Sequence, residues 1–224
     1  MEQWIALLRV IAWPIIVLLG IFLFRKVLRD VLSREDLSFS GPGGFSFSAR
    51  RAAGALDKAA EARGAPERPS EADAEDLVKE VTDFVRQRHR NPRILWVDDH
   101  PSNSRYERSA IDSMGMLVDL STSTNDAQQK MQRRGEYDVI ISDMARGEEP
   151  NVDREAGYEL LKWLRDRGDE TAYIIYRASN DPEHFDEAIR RGAFGSTGSP
   201  QELVEMVLRS LRNAKPRTKW WQLR

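Results

Sequence analysis

The sequence predicts an α/β fold with a doubly wound, five-stranded parallel sheet, preceded by one N-terminal transmembrane helix. Three observations carry this. Two short apolar runs, Arg93-Ile94-Leu95-Trp96-Val97 and Val139-Ile140-Ile141-Ser142, are bounded by turn signals, as expected of strands covered on both faces. Helical patterns separate such runs, so that strand and helix alternate five times, the order that builds a parallel sheet with crossover helices. Trp4 to Phe24 is apolar apart from Arg9 and as a helix would span about 31 Å at roughly 1.5 Å per residue, enough to cross a bilayer core.

Residues 1–28 are read as the anchor. No basic segment precedes the apolar run and no small-x-small site follows it, which argues for an uncleaved anchor over a signal peptide. Pro14 can kink such a helix without excluding it from lipid, and Arg9 lies close enough to the helix end to snorkel. Glu2 is the only charged side chain ahead of the run, whereas Arg25, Lys26, Arg29 and Arg34 follow it. The positive-inside bias therefore predicts a single-pass protein of the inner (cytoplasmic) membrane with its C-terminal domain in the cytoplasm.

Residues 29–70 read as a juxtamembrane β-hairpin and linker. Across 37–49, apolar residues alternate with serine on both sides of a Gly-Pro-Gly-Gly turn, placing Leu37, Phe39, Phe45 and Phe47 on one face of a hairpin that needs a cover. The alanine-rich stretch 50–63 reads as a helical spacer, broken by Gly64 to Ser70 with its two prolines. Residues 71–92 form an amphipathic helix with Leu77, Val78, Val81, Phe84 and Val85 on one face. The pattern is far short of the heptads of a coiled coil, which favours a helix leading into the domain.

From 93 to 212 the reading gives strands 93–98, 116–121, 138–143, 172–177 and 194–197, and helices 102–114, 124–134, 155–167, 182–191 and 200–212. Asn125, Asp126 and Ser199-Pro200 supply helix starts, and Gly135, Gly168 and Gly192 follow helices where left-handed caps are common. The tail 213–224 is basic and aromatic, with Lys215, Arg217, Lys219, Trp220, Trp221 and Arg224 suited to anionic lipid, a partner groove or the domain itself. A formal charge of −2, spread as mixed-sign faces, gives no reason to expect nucleic acid as a partner. The chain has no cysteine, which excludes disulfides and thiolate metal sites, and its three histidines lack ligand spacing.

Chemistry concentrates at Asp98, Asp99 and Asp143. The first two end one strand and the third ends another, and parallel strands deliver such residues to one crevice at their carboxyl ends. Three hard-oxygen donors suit Mg²⁺. Without a cation they repel, raising at least one pKa, so a metal or an internal arginine must compensate, with Arg177 the candidate for the second role.

By these residues the chain resembles the response-regulator receiver family, the CheY-like domains of two-component signalling, which share the flavodoxin-like sheet. Gly192-Ala193 and Ser199-Pro200 match further landmarks of that family. The resemblance implies that Asp98, Asp99 and Asp143 hold Mg²⁺ and that Asp143 accepts a phosphoryl group. It also exposes departures. Ser199 stands where the family has a lysine, Ser196 where it has a switch aromatic, and Arg177 where it has a threonine or serine, with Ser179 two residues on. The loop from Met144 to Ala156 is longer than usual. The metal ligands persist while the signal-reading side chains do not.

The function expected is thus a membrane-anchored, receiver-like signalling or interaction module, a degenerate receiver whose partner is a kinase or effector protein. At most it phosphorylates itself at Asp143 from a phosphodonor. Its output passes through a partner, the hairpin or homo-oligomerisation, since only residues 213–224 follow the domain. The competing expectation is an oligomerising membrane effector of a bacterial stress or phage-defence system, in which the receiver-like domain senses a ligand or partner.

Overall fold

The computed structural model describes residues 44–64, 70–147, 152–177 and 182–214. Among the described residues, two helices precede the sheet. The first, α1 (Gly44–Ala62), is from Ala49 onward mostly alanine and long charged residues, the strongest helix formers. The second, α2 (Glu71–Arg86), starts at Ser70, whose hydroxyl accepts from the Asp73 amide at 3.1 Å. From Gly44 onward, therefore, the hairpin expected over 37–49 is replaced by helix. Extending a helix adds one hydrogen bond per residue fixed, whereas an isolated two-stranded ribbon is marginal in water. The first half of that segment and the apolar run 4–24 lie outside the described residues. Among the described residues, no helix is long and apolar enough to cross a membrane.

The five strands are β1 (Arg93–Val97), β2 (Leu117–Ser121), β3 (Val139–Ser142), β4 (Ala172–Tyr176) and β5 (Gly195–Thr197). They pair in parallel in the order β2-β1-β3-β4-β5. The remaining helices are α3 (Arg105–Ser113), entered through a 3₁₀ turn at Pro101–Ser104, α4 (Thr124–Arg134), α5 (Ala156–Asp166), α6 (Pro182–Arg190) and α7 (Pro200–Asn213). The sequence placed every strand and these five helices within a few residues. It misplaced one cap: Ser123 starts α4 by accepting from the Asp126 amide, which puts Asn125 and Asp126 inside the helix. Gly135, Gly168 and Gly192 do take positive φ after their helices.

The strand period of two divides the core cleanly. Ile94, Trp96, Val139, Ile141, Ile174 and Tyr176 face one layer, which includes α3 and α7. Leu95, Val97, Ile140, Tyr173 and Ile175 face the other, containing Leu160, Leu161 and Leu164 of α5 and Ala188 of α6. The first layer also takes in Ala52, Ala53 and Leu56 of α1 and Leu77, Val78, Val81 and Val85 of α2. The compact unit begins at Phe45, so the stretch read as a spacer is part of the folded body.

A polar contact pins α1 to that body. Arg63 donates through Nε to Glu107 Oε1 at 2.8 Å, and its guanidinium lies 3.9 Å above the Tyr176 ring. Tyr176 donates its hydroxyl to the same carboxylate oxygen at 2.8 Å, and burial followed by the Glu107 charge pushes that hydroxyl's pKa up. Tyr176 in turn meets Trp96 edge to face, with ring centroids 5.8 Å apart.

Candidate acidic site

The site forms where the strand order reverses, between β1 and β3, which is where open α/β sheets bind ligands. Val97 pairs with Ser121 on one side and Ser142 on the other, so Asp98 and Asp143 leave adjacent strands at one level. Their amides extend the ladder, Asp98 to the Ser121 carbonyl at 2.9 Å and Asp143 to the Val97 carbonyl at 2.8 Å.

Local hydrogen bonds then aim each carboxylate. Asp98 is buried and accepts from the His100 amide at 2.8 Å and the Ser104 hydroxyl at 2.6 Å, one bond per oxygen. Asp99 accepts from the Gly147 amide at 2.5 Å, and its other oxygen lies 3.1 Å from His100 Nδ1. Asp143 Oδ1 accepts from the Met144 amide at 2.7 Å. One oxygen from each of the three lies within 4.8 Å of the others. Burial, with the Asp98 and Asp99 charges, holds the Asp143 carboxyl above its ordinary pKa against the Met144 amide and the Arg146 charge. An all-oxygen set this compact and this negative fits Mg²⁺ and suits no soft metal.

The positive charge beside Asp143 comes from a residue the sequence reading missed. Arg146, on the loop between β3 and α5, is 6% exposed. It donates through Nη1 to the Ser142 hydroxyl at 2.7 Å and the Asp143 carbonyl at 2.8 Å. Through Nη2 it reaches the Thr124 hydroxyl at 2.9 Å and the Ala156 carbonyl at 2.5 Å. Its backbone forms an isolated antiparallel bridge with Asp153. The visible signal was an arginine three residues past the candidate nucleophile in an overlong loop.

Arg177, the expected counter-charge, is placed differently. It follows β4, donates its amide to the Thr197 carbonyl at 3.0 Å, and acts on the Tyr158 hydroxyl, where its charge opposes the rise that burial causes. Ser199 caps α7, its hydroxyl accepting from the Glu202 amide at 3.4 Å. Ser196 is buried in β5. Ser179 lies outside the described residues. Close packing also fixes the loop: a Cβ at Gly157 would sit 3.0 Å from the Asp143 carbonyl oxygen and 3.0 Å from Met144 Sδ.

A parallel five-stranded sheet in this order, with three carboxylates converging at its switch point, defines a receiver-type signalling domain. The model of the response regulator receiver domain family matches residues 94–208, just over half of the sequence, and the chain belongs to that family. It is 28% identical over 120 residues to the transcriptional regulatory protein ComA of Bacillus subtilis (strain 168), covering 51% of this chain and 54% of that protein. The chain thus spans about half the length of this curated relative. Among solved structures it is similar to the Francisella response regulator 1452 receiver domain, at 25% identity and TM-score 0.48, covering 56% of this chain and 100% of that one. It is also similar to the chemotaxis response regulator CheY4 of Vibrio cholerae, at 25% identity and TM-score 0.42, covering 55% of this chain and 97% of that one.

Proposed function

We propose that this receiver-domain signalling module binds Mg²⁺ through Asp98, Asp99 and Asp143 and accepts a phosphoryl group on Asp143. The observation that carries the reading is the convergence of those three carboxylates within 4.8 Å at the carboxyl ends of β1 and β3. When bound, Mg²⁺ neutralises the carboxylates and lets phosphate oxygens approach them. Asp98 is oriented by Ser104 and the His100 amide, Asp99 by Gly147, and Asp143 by Met144. With Asp143 Oδ1 held by that amide, Oδ2 is the oxygen left to attack phosphorus. The new O–P bond forms as the donor's P–O or P–N bond breaks, and the leaving group departs with the electron pair.

The module is degenerate in its read-out. Serines at 196 and 199 and an arginine at 177 replace the side chains that the family uses to sense and relay the phosphoryl group, so the signal leaves by another route to a protein partner, a kinase or effector. The apolar run 4–24, followed by Arg25, Lys26, Arg29 and Arg34, supports a single-pass anchor in the cytoplasmic membrane with this domain on the cytoplasmic side.

Intact-mass analysis of the full-length chain with Mg²⁺ and phosphoramidate tests the chemistry. A phosphoryl adduct that Asp143→Asn abolishes is the expected result; no adduct, or one that persists in the variant, overturns it.

A further inference from the structure

A buried guanidinium is costly unless negative charge balances it. Arg146 is buried, yet its four side-chain hydrogen bonds all end on neutral oxygens, two hydroxyls and two carbonyls, and its Nε is enclosed without a partner. The negative charge that it acts on is Asp143, whose backbone carbonyl takes one of those bonds and whose carboxyl the guanidinium draws downward in pKa. Asp98 has a second guanidinium in Arg108, which leaves Arg146 as the positive charge that acts on Asp143.

Geometry adds a second role. The four acceptors belong to β3 and the residue after it, the first residue of α4 and the first residue of α5, so Arg146 ties the loop to three elements at once. The next residue, Gly147, donates its amide to Asp99 at 2.5 Å. Fixing Arg146 therefore places both the segment that bears Asp143 and the amide that aims Asp99. Meanwhile position 199, which would carry a lysine by resemblance, holds a serine engaged in capping α7.

We propose that Arg146 is the built-in cation and positioning residue of the acidic site, supplying from the β3–α5 loop the fixed positive charge that Ser199 does not. This rests on the phosphoryl-acceptor reading above. The test is the rate of phosphoramidate labelling of the full-length chain at saturating Mg²⁺, with melting temperatures recorded in parallel. Arg146→Met slows labelling by about tenfold or more, the scale on which fixed electrostatic groups act. Adding Ser199→Lys to Arg146→Met restores most of that rate, because the charge returns from the other loop. A rate within about twofold of wild type in Arg146→Met overturns the proposal on that same scale. So does a double variant no faster than Arg146→Met, which reduces Arg146 to a loop strut. If Arg146→Met does not fold, Ser199→Lys alone decides. With Arg146 already serving as the cation, its gain stays under about threefold, and a gain of about tenfold or more overturns the proposal. A wild type that never labels removes the phosphoryl-acceptor reading and this inference together, whereas a labelled wild type with an indifferent Arg146 removes the inference alone.

Discussion

Arg63→Ala should loosen α1 from the domain, and the structure sets the size of the effect. The Glu107 side chain is 2% exposed and that of Arg63 20% exposed, so the pair lies largely out of water. Glu107 Oε1 takes both available donors, the Arg63 Nε and the Tyr176 hydroxyl, while Oε2 is buried without a partner. Removing Arg63 leaves a carboxylate inside the protein with one neutral donor. Breaking a buried pair in this way costs about 3–5 kcal/mol, and a guanidinium over an aromatic ring adds about 0.5–2 kcal/mol. The partial exposure of Arg63 argues for the lower end, a total of about 3 kcal/mol. Glu107→Gln costs less, about 1–2 kcal/mol, because the amide oxygen still accepts from Tyr176 and the charge left without its partner is Arg63, whose side chain at 20% exposure still reaches water. The two changes should not add: the double variant recovers about 1.5 kcal/mol of coupling. Urea unfolding of the full-length protein measures these differences, and hydrogen exchange locates them, with α1 amides exchanging roughly 100-fold faster in Arg63→Ala. A loss under about 0.5 kcal/mol with unchanged α1 protection would refute the claim that this contact docks the helix.

Three further outcomes follow from the acidic site. Because its folded pKa is raised, the favourable contribution of Asp143 exists at low pH and is lost as pH rises through that value; Asp143→Asn should therefore raise the metal-free melting temperature at neutral pH, a gain that vanishes below about pH 4. Mg²⁺ should reverse the order: at about 100 times its dissociation constant it stabilises wild type by about 2.7 kcal/mol, and Asp98→Asn or Asp143→Asn should gain much less in the same titration. Gly157→Ala drives a methyl group against the Asp143 carbonyl and Met144, so it should cost about 1–3 kcal/mol in urea unfolding and slow phosphoramidate labelling, with normal stability and rate as the contrary result.

The sequence alone determined the sheet and the acidic triad, because both rest on local signals. A strand buried on both faces must be apolar throughout, as Ile94 to Val97 and Val139 to Ile141 are, and residues just past such strands in a parallel sheet share one end. Alternation of strands and helices fixed the architecture within which Asp98, Asp99 and Asp143 had to meet. Tertiary structure decided what depends on contacts between distant residues. Alanines 52, 53, 59 and 60 read as spacer because alanine carries little hydrophobic signal, yet small side chains let α1 pack closely, and Arg63 found its partner 44 residues away in Glu107. The charge beside Asp143 was sought at Arg177 because strand ends are where periodicity points. It came from Arg146, whose position depends on a bridge to Asp153 and on acceptors from three separate elements, none of which sequence spacing can register.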